Sequence, residues 1–286
     1  MSRELRNRIV FGLIFAAVAT TAVAVDVSRH SHLGTSALAY IGVIVGTREF
    51  VRLARSVAPQ MSLLPVLVAN LLLVTLPSVE VMGEPWGAFA RGDGAAAIIG
   101  LALGWALLEQ MFRRGPEAIF AHVGAVMLGI AYLGVPFLLL QRMTALPTGG
   151  ALLLMFIGAV KCGDVTAFFG GKTFGKNKMC PSISPGKTWE GFASSFIGAI
   201  GGSYLFMWLP TTWGSTPAFS GWWQPAVWGL ILGPLGVLGD LAESCMKRAA
   251  GSKDSGTSMP GFGGMLDVLD AIIIAAPAAY LLARVL

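Results

Sequence analysis

Acidic, hydroxyl and basic side chains gather in a short stretch of the second half of the chain, GDLAESCMKR, at residues 239–248. The positions i, i+3, i+4 and i+7 of this stretch are occupied by Asp240, Glu243, Ser244 and Lys247. A helix would place these four side chains on one face. Glu243 and Lys247 alone would be an ordinary solvated pair, worth a few tenths of a kcal/mol. Asp240 favours a functional site instead, because it follows the apolar run GPLGVLG.

Carboxylates also stand at the ends of other apolar segments. The set comprises Asp164, Asp240, Asp267 and Asp270. One acid at a helix N-terminus can be a simple cap, favourable by about 0.3–1 kcal/mol. Four are harder to explain, since carboxylates that are drawn together repel one another unless a cation separates them. Mg²⁺ binds one or two carboxylates together with substrate phosphates, so we favour a divalent metal site.

A second polar segment is rich in glycine and lysine. It contains GGKTFGKN at residues 170–177 and PSISPGKT at residues 181–188, and each departs at one position from the P-loop pattern. We expect no P-loop fold, since neither stretch follows a predicted strand. Exposed backbone N–H groups beside Lys172, Lys176, Lys178 and Lys187 are nevertheless suited to a polyphosphate. The alternative is a basic loop that fixes membrane orientation and contacts lipid headgroups.

The elements that must position these residues are membrane helices. Of the 286 residues, 55% are hydrophobic and 12% are charged, against about 25% charged in soluble domains. A bilayer needs about 20 apolar residues per helix, and we predict an all-α integral membrane protein with nine spans. They are Arg8–Val25, Leu33–Phe50, Met61–Met82, Gly94–Phe112, Glu117–Leu140, Gly149–Phe169, Gly191–Leu209, Pro225–Leu241 and Leu266–Leu286. The first run lacks a small-residue cleavage site, so we expect a span and not a signal peptide.

The distribution of basic residues predicts the orientation. With the N-terminus in the cytoplasm, the outer side holds only Arg29, Arg91, Arg142 and Arg284 of the 20 basic residues, which places the C-terminus outside. We therefore interpret the net charge of +5 as an orientation signal and expect no nucleic-acid partner. Residues 1–148 form an N-terminal region of about five spans. Residues 149–286 form a catalytic region with two cytoplasmic loops, loop one (170–190) and loop two (247–265).

Loop two and its flanks carry a family resemblance. The run from Ser244 to Asp270 resembles the signature of CDP-diacylglycerol synthases, the phosphatidate cytidylyltransferases, SxxKRxxxxKDxGxxxPGHGGxxDRxD. The matching residues are Ser244, Lys247, Arg248, Lys253, Asp254, Gly256, Pro260, Gly261, Gly263, Gly264, Asp267 and Asp270. Loop one is similar to the same family at Asp164, at GKxxGK (171–176) and at ISPxKTxEG (183–191). Two positions depart from the signature, with Phe262 in place of histidine and Val268 in place of arginine.

The resemblance implies transfer of CMP from CTP to phosphatidate in the inner membrane of a bacterium, with the active site facing the cytoplasm. It implies one or two Mg²⁺ ions, with a monovalent cation as a further option, and allows a homodimer. Asp240 and Asp267 would be the main metal ligands. Asp164, Asp254 and Asp270 would support them or bind a second ion, and Asp164 is the third predicted ligand. The triphosphate and the lipid phosphate would contact the basic side chains, and Ser184, Pro185 and Thr188 would shape loop one. The basic set is Lys172, Lys176, Lys187, Lys247, Arg248 and Lys253.

Three other functions stay open at this stage. A CTP-dependent lipid kinase, of the polyprenol type, needs the same glycines, lysines and acids. A non-catalytic relative would suit the changes at Phe262 and Val268 but would leave the retained acids without a role. A transporter would be expected to show internal repeats with interrupted helices in matching halves, and we find none. The three cysteines have no CxxC spacing, which argues against a zinc site or a disulfide framework.

Overall fold

The computed structural model describes residues 18, 20–26, 33–213, 216–259 and 263–286. A helical segment at 20–26 precedes ten helices, which we number along the chain. These are α1 Leu33–Ala54, α2 Leu63–Glu80, α3 Trp86–Arg91, α4 Gly94–Arg113, α5 Ile119–Gly129, α6 Val135–Thr144, α7 Gly149–Phe174, α8 Trp189–Trp208, α9 Gln224–Ala249 and α10 Leu266–Val285. A π-helical turn, Ile130–Gly134, joins α5 to α6, and a 3₁₀ turn, Leu209–Trp213, follows α8.

The predicted helical membrane architecture is confirmed, with one short β-hairpin besides the helices. Among the described residues, six helical segments are long and apolar enough to cross a membrane: α2, α4, α5 together with α6, α7, α9 and α10. The helices α1 and α8 also match predicted spans in position, although neither is among those six. The C-terminal half of α1 carries Arg48, Glu49 and Arg52, which lowers its hydropathy. The first predicted span lies mostly outside the described residues, so nine spans and the orientation stay predictions.

Helix α9 lies at the centre of the C-terminal region, residues 149–286. It packs against α7, α8 and α10, while α7 and α8 pack against each other along their length. Trp228 and Leu232 of α9 are fully buried there, as is Ile273 of α10. Helix α10 also packs against α6 and α1, so the last helix is shared between the two predicted regions.

Loop one, predicted at residues 170–190 between two spans, contains regular secondary structure. Helix α7 continues to Phe174, and an antiparallel hairpin follows, with β1 at Lys178–Cys180 and β2 at Ser184–Thr188. The carboxylate of Glu190 holds the base of the hairpin, accepting a 2.7 Å hydrogen bond from the Asn177 side chain. The hairpin escaped prediction because its strands are short, and β2 contains Pro185 and Gly186, which are poor strand formers.

Loop two begins three residues later than predicted, because α9 continues to Ala249. The helix then ends in a left-handed turn at Gly251, where φ is +66°. The Ser252 N–H donates to the Lys247 carbonyl at 2.9 Å, and the Gly251 N–H donates to the Arg248 carbonyl at 3.0 Å. This pair of bonds is the Schellman ending that glycine favours, and it directs the chain back over the end of α9.

Candidate active site

The acidic face of α9 forms as the spacing predicted. The Ser244 hydroxyl lies 3.4 Å from Asp240 Oδ1, and Lys247 Nζ lies 2.8 Å from Glu243 Oε2. The alternative of a solvated Glu243–Lys247 pair is wrong, because the Glu243 side chain is 1% exposed and that of Lys247 is 12% exposed. A buried carboxylate at the end of a membrane helix is costly unless it is paired or coordinated, and Lys247 pairs with only one of the two Glu243 oxygens.

Three carboxylates meet at this face. Asp240, Glu243 and Asp270 each place one oxygen within 4.8 Å of the others. Glu243 Oε1 is buried and has no hydrogen-bond partner among the described residues. An unsatisfied buried oxygen beside two other carboxylates fits a cation that has only oxygen ligands. We call these three residues the acidic cluster.

Asp267, a predicted metal ligand, lies beside the acidic cluster and outside it. Its Oδ1 is 2.5 Å from Lys247 Nζ. Its Oδ2 accepts hydrogen bonds from the Ser255 N–H at 3.0 Å, the Ser255 hydroxyl at 2.6 Å and the Gly264 N–H at 2.7 Å. Asp267 therefore links loop two to α9 through Lys247.

Asp164, the other predicted ligand outside the cluster, is held on α7. Lys161 Nζ lies 3.8 Å from Asp164 Oδ2 and donates a 3.3 Å hydrogen bond to the carbonyl of Val268 on α10. Asp164 faces α9, since a Cβ atom at Gly236 would lie 3.6 Å from its Oδ1. Lys161 is not among the predicted site residues, yet it connects Asp164 to the first turn of α10.

One lysine of the hairpin contacts the acidic cluster. Lys187 Nζ lies 2.9 Å from Asp240 Oδ2 and donates to the Val237 carbonyl at 2.6 Å. Next to it, Thr188 is buried and caps α8, with its hydroxyl oxygen accepting a 3.1 Å bond from the Gly191 N–H. These contacts place part of the predicted phosphate-binding loop directly beside the carboxylates.

The remaining predicted residues lie farther out. Arg248 Nε donates to the carbonyl of Ile183 at 3.3 Å, and Ser184 lies opposite Cys180 in the hairpin. Four predicted residues have exposed side chains, namely Lys172, Lys176, Lys253 and Asp254. Within the described ranges these side chains make no hydrogen bond or ion pair, so the structure does not join them to the acidic cluster. Phe262 lies outside the described residues.

Sequence reasoning missed a carboxylate from the N-terminal region. Glu49 of α1 is 7% exposed and accepts hydrogen bonds from loop two and from the start of α10. The available signal was an acid between two arginines within an otherwise apolar run, since intramembrane acids are rarely without a role. Only the three-dimensional packing shows which segment it contacts.

An apolar cleft of about 170 Å³ opens next to Glu243. Its walls come from the end of α1, from α5, from the end of α9 and from Ser255 and Leu266. Phe50, Leu128 and Met246 supply apolar surface. Apolar surface and a buried carboxylate therefore adjoin at this point.

Comparison with known proteins identifies the family. The family model described as the cytidylyltransferase family matches residues 6–286. A phosphatidate cytidylyltransferase of Mycobacterium bovis is 31% identical over 294 aligned residues, which cover 99% of this chain and 90% of that protein. Phosphatidate cytidylyltransferases of Brucella abortus biovar 1 and Chlamydia muridarum are 37% and 33% identical over 154 and 178 residues. Those alignments span about half the length of each of these two relatives, 54% and 53%. The match over nearly the whole length places this chain in the cytidylyltransferase family.

Proposed function

We propose that the protein transfers CMP from CTP to phosphatidate and so forms CDP-diacylglycerol and pyrophosphate. The observation that carries the proposal is the acidic cluster, with the unpartnered Oε1 of Glu243 and with Lys187 and Lys247 at its edge. Relatives named phosphatidate cytidylyltransferase support the choice of substrates. In the reaction, a phosphatidate oxygen forms a bond to the α-phosphorus of CTP. The bond from that phosphorus to the bridging oxygen breaks, and pyrophosphate leaves with the electron pair.

The donor set supports Mg²⁺ at the acidic cluster. Asp240, Glu243 and Asp270 offer only oxygen atoms, as this ion prefers. When bound, it would neutralise charge on the triphosphate. Asp164 and Asp267 stay predicted ligands, yet each contacts a lysine.

The basic side chains would hold the two anionic substrates. Lys187 and Lys247 are nearest to the carboxylates, and Arg248 joins the end of α9 to the hairpin. Lys172, Lys176 and Lys253 would meet the triphosphate from the exposed side. Because the attacking lipid phosphate is already an anion, no protein nucleophile is needed, and catalysis consists of positioning and charge neutralisation.

The lipid would enter from the bilayer. The cleft next to Glu243 offers apolar walls for carbon atoms close to the reacting phosphate. We place the reaction on the cytoplasmic face of a bacterial inner membrane. The inward bias of basic residues supports this orientation, and the compared relatives are bacterial proteins.

Isotopic labelling of CTP tests the function directly. Purified protein is incubated with phosphatidate, Mg²⁺ and CTP labelled on either the α- or the γ-phosphate. Attack at the α position would carry the α label into the lipid and leave the γ label in pyrophosphate. Transfer of the γ label to a lipid would identify a CTP-dependent lipid kinase instead. Label in no lipid, with phosphatidate and other acceptors tried, would favour a non-catalytic role.

A further inference from the structure

A carboxylate of the N-terminal region holds loop two in place. Glu49 Oε1 accepts a 3.0 Å hydrogen bond from the Met265 N–H, and Oε2 accepts a 2.9 Å bond from the Leu266 N–H. The Ser258 hydroxyl donates to Oε1, and the Ser255 hydroxyl lies 3.4 Å from Oε2. Glu49 thus supplies acceptors, from another helix, for the free N–H groups at the start of α10. The partial positive charge of that helix end favours a carboxylate there.

Two glycines of the signature make room for this carboxylate. A Cβ atom at Gly256 would lie 2.5 Å from Glu49 Oε1. At Gly264, a Cβ atom would lie 2.5 Å from Glu49 Oε2 and 2.0 Å from the Ser255 hydroxyl oxygen. Any larger residue at either position would displace Glu49 or the loop, so the loop is shaped to receive this side chain.

A series of neighbouring contacts connects Glu49 to the acidic cluster. Ser255 has one hydroxyl proton, and its oxygen is closer to Asp267, at 2.6 Å, than to Glu49, at 3.4 Å. The main link is therefore the backbone, since the amide of Leu266 immediately precedes Asp267. Asp267 in turn binds Lys247, and Lys247 binds Glu243.

We propose that Glu49 is a positioning residue for the transfer reaction. By fixing the first turn of α10, it holds Asp267 against Lys247 and Asp270 within the acidic cluster. This inference rests on the proposed function. A residue that only joined the two regions would support stability of the whole fold. A positioning residue controls the local order of loop two and the metal requirement of turnover.

The test compares Glu49→Gln with a matched control, Glu109→Gln. Glu109 is also a buried glutamate of the N-terminal region, and it binds Arg114 and Ser62. In Glu49→Gln the amide NH₂ would face backbone N–H donors. We expect turnover at saturating CTP to fall about 10–100-fold, as when partners of metal ligands are lost, and the half-saturating Mg²⁺ concentration to rise. Glu109→Gln should leave both quantities within about twofold of wild type.

Hydrogen exchange provides a readout that does not depend on activity. In Glu49→Gln, the amides of residues 264–266 should exchange at least about tenfold faster, while α7 and α8 keep wild-type protection. Ser258→Ala removes a single donor to Glu49 and should shift exchange in the same direction by less. Ser258→Ala serves as the test variant if Glu49→Gln does not insert into the membrane.

The possible outcomes are distinct. Normal exchange and turnover in Glu49→Gln would overturn the proposal, as would faster exchange throughout the protein. If the wild-type protein makes no liponucleotide, the proposed function fails. The exchange of residues 264–266 then decides on its own whether Glu49 orders the loop.

Discussion

Lys187 Nζ lies 2.9 Å from Asp240 Oδ2, and this contact fastens the β-hairpin to α9. It joins the lysine-rich segment to the acidic segment, which are separated in the sequence by helix α8. The site is therefore assembled at the ends of several helices, with one lysine at the junction.

Removing the Lys187 charge should abolish most of the activity. Lys187→Met keeps the length of the side chain but loses both the contact with Asp240 and a cation for phosphate. We expect turnover to fall about 100-fold or more, as when one preorganised charge donor is removed. The assay is formation of labelled CDP-diacylglycerol. Lys178→Met, an exposed change in the same hairpin, is the control, and an equal loss in both variants would contradict the assignment.

The acidic cluster should control the metal requirement. Asp270→Asn and Glu243→Gln keep the shape of the side chains but remove ligand charge. Each should raise the Mg²⁺ concentration needed for half-maximal turnover and lower the maximum, by about 10–100-fold. Wild-type activity should disappear in a chelator and return when Mg²⁺ is added. An unchanged Mg²⁺ titration in both variants would exclude the cluster as the cation site.

Arg142 should contribute to stability without affecting catalysis. Its Nε lies 2.7 Å from Glu80 Oε1, and both side chains are about four-fifths buried. Arg142→Gln leaves Glu80 unpaired, and we expect a loss of about 1–3 kcal/mol in unfolding free energy. Arg91→Gln is the control. It breaks the exposed pair with Glu84, where the loss should be about 0–1 kcal/mol. Thermal unfolding in detergent measures both, and equal shifts would show that burial of the pair is unimportant.

The orientation can be tested by cysteine labelling. In a variant without Cys162, Cys180 and Cys245, single cysteines are placed at Lys178, Thr257 and Thr216, which are exposed. In intact cells an impermeant thiol reagent should label only position 216. Opening the cells should expose positions 178 and 257. Labelling of those two positions in intact cells would reverse the predicted orientation.

The sequence predicted the helices better than the site. The apolar run Met61–Met82 became α2 at Leu63–Glu80, because a span is determined by its own composition. The face of α9 followed from helical spacing alone. Which acids meet across helices depends on packing, so Asp270 belongs to the cluster while Asp267 pairs with Lys247. Glu49 contacts Ser255, which is 206 residues away in the sequence. The periodicity of apolar residues does not indicate contacts at that separation.

Glu49 limits how freely the N-terminal helices of this protein can be exchanged. The N-terminal helices look exchangeable, since the signature lies wholly in the second half of the chain. A chimera that joined the first helices of one relative to the last helices of another would also replace the side chain that orders loop two. Recombination between relatives should therefore succeed only where the carboxylate of α1 and the glycines facing it are inherited together.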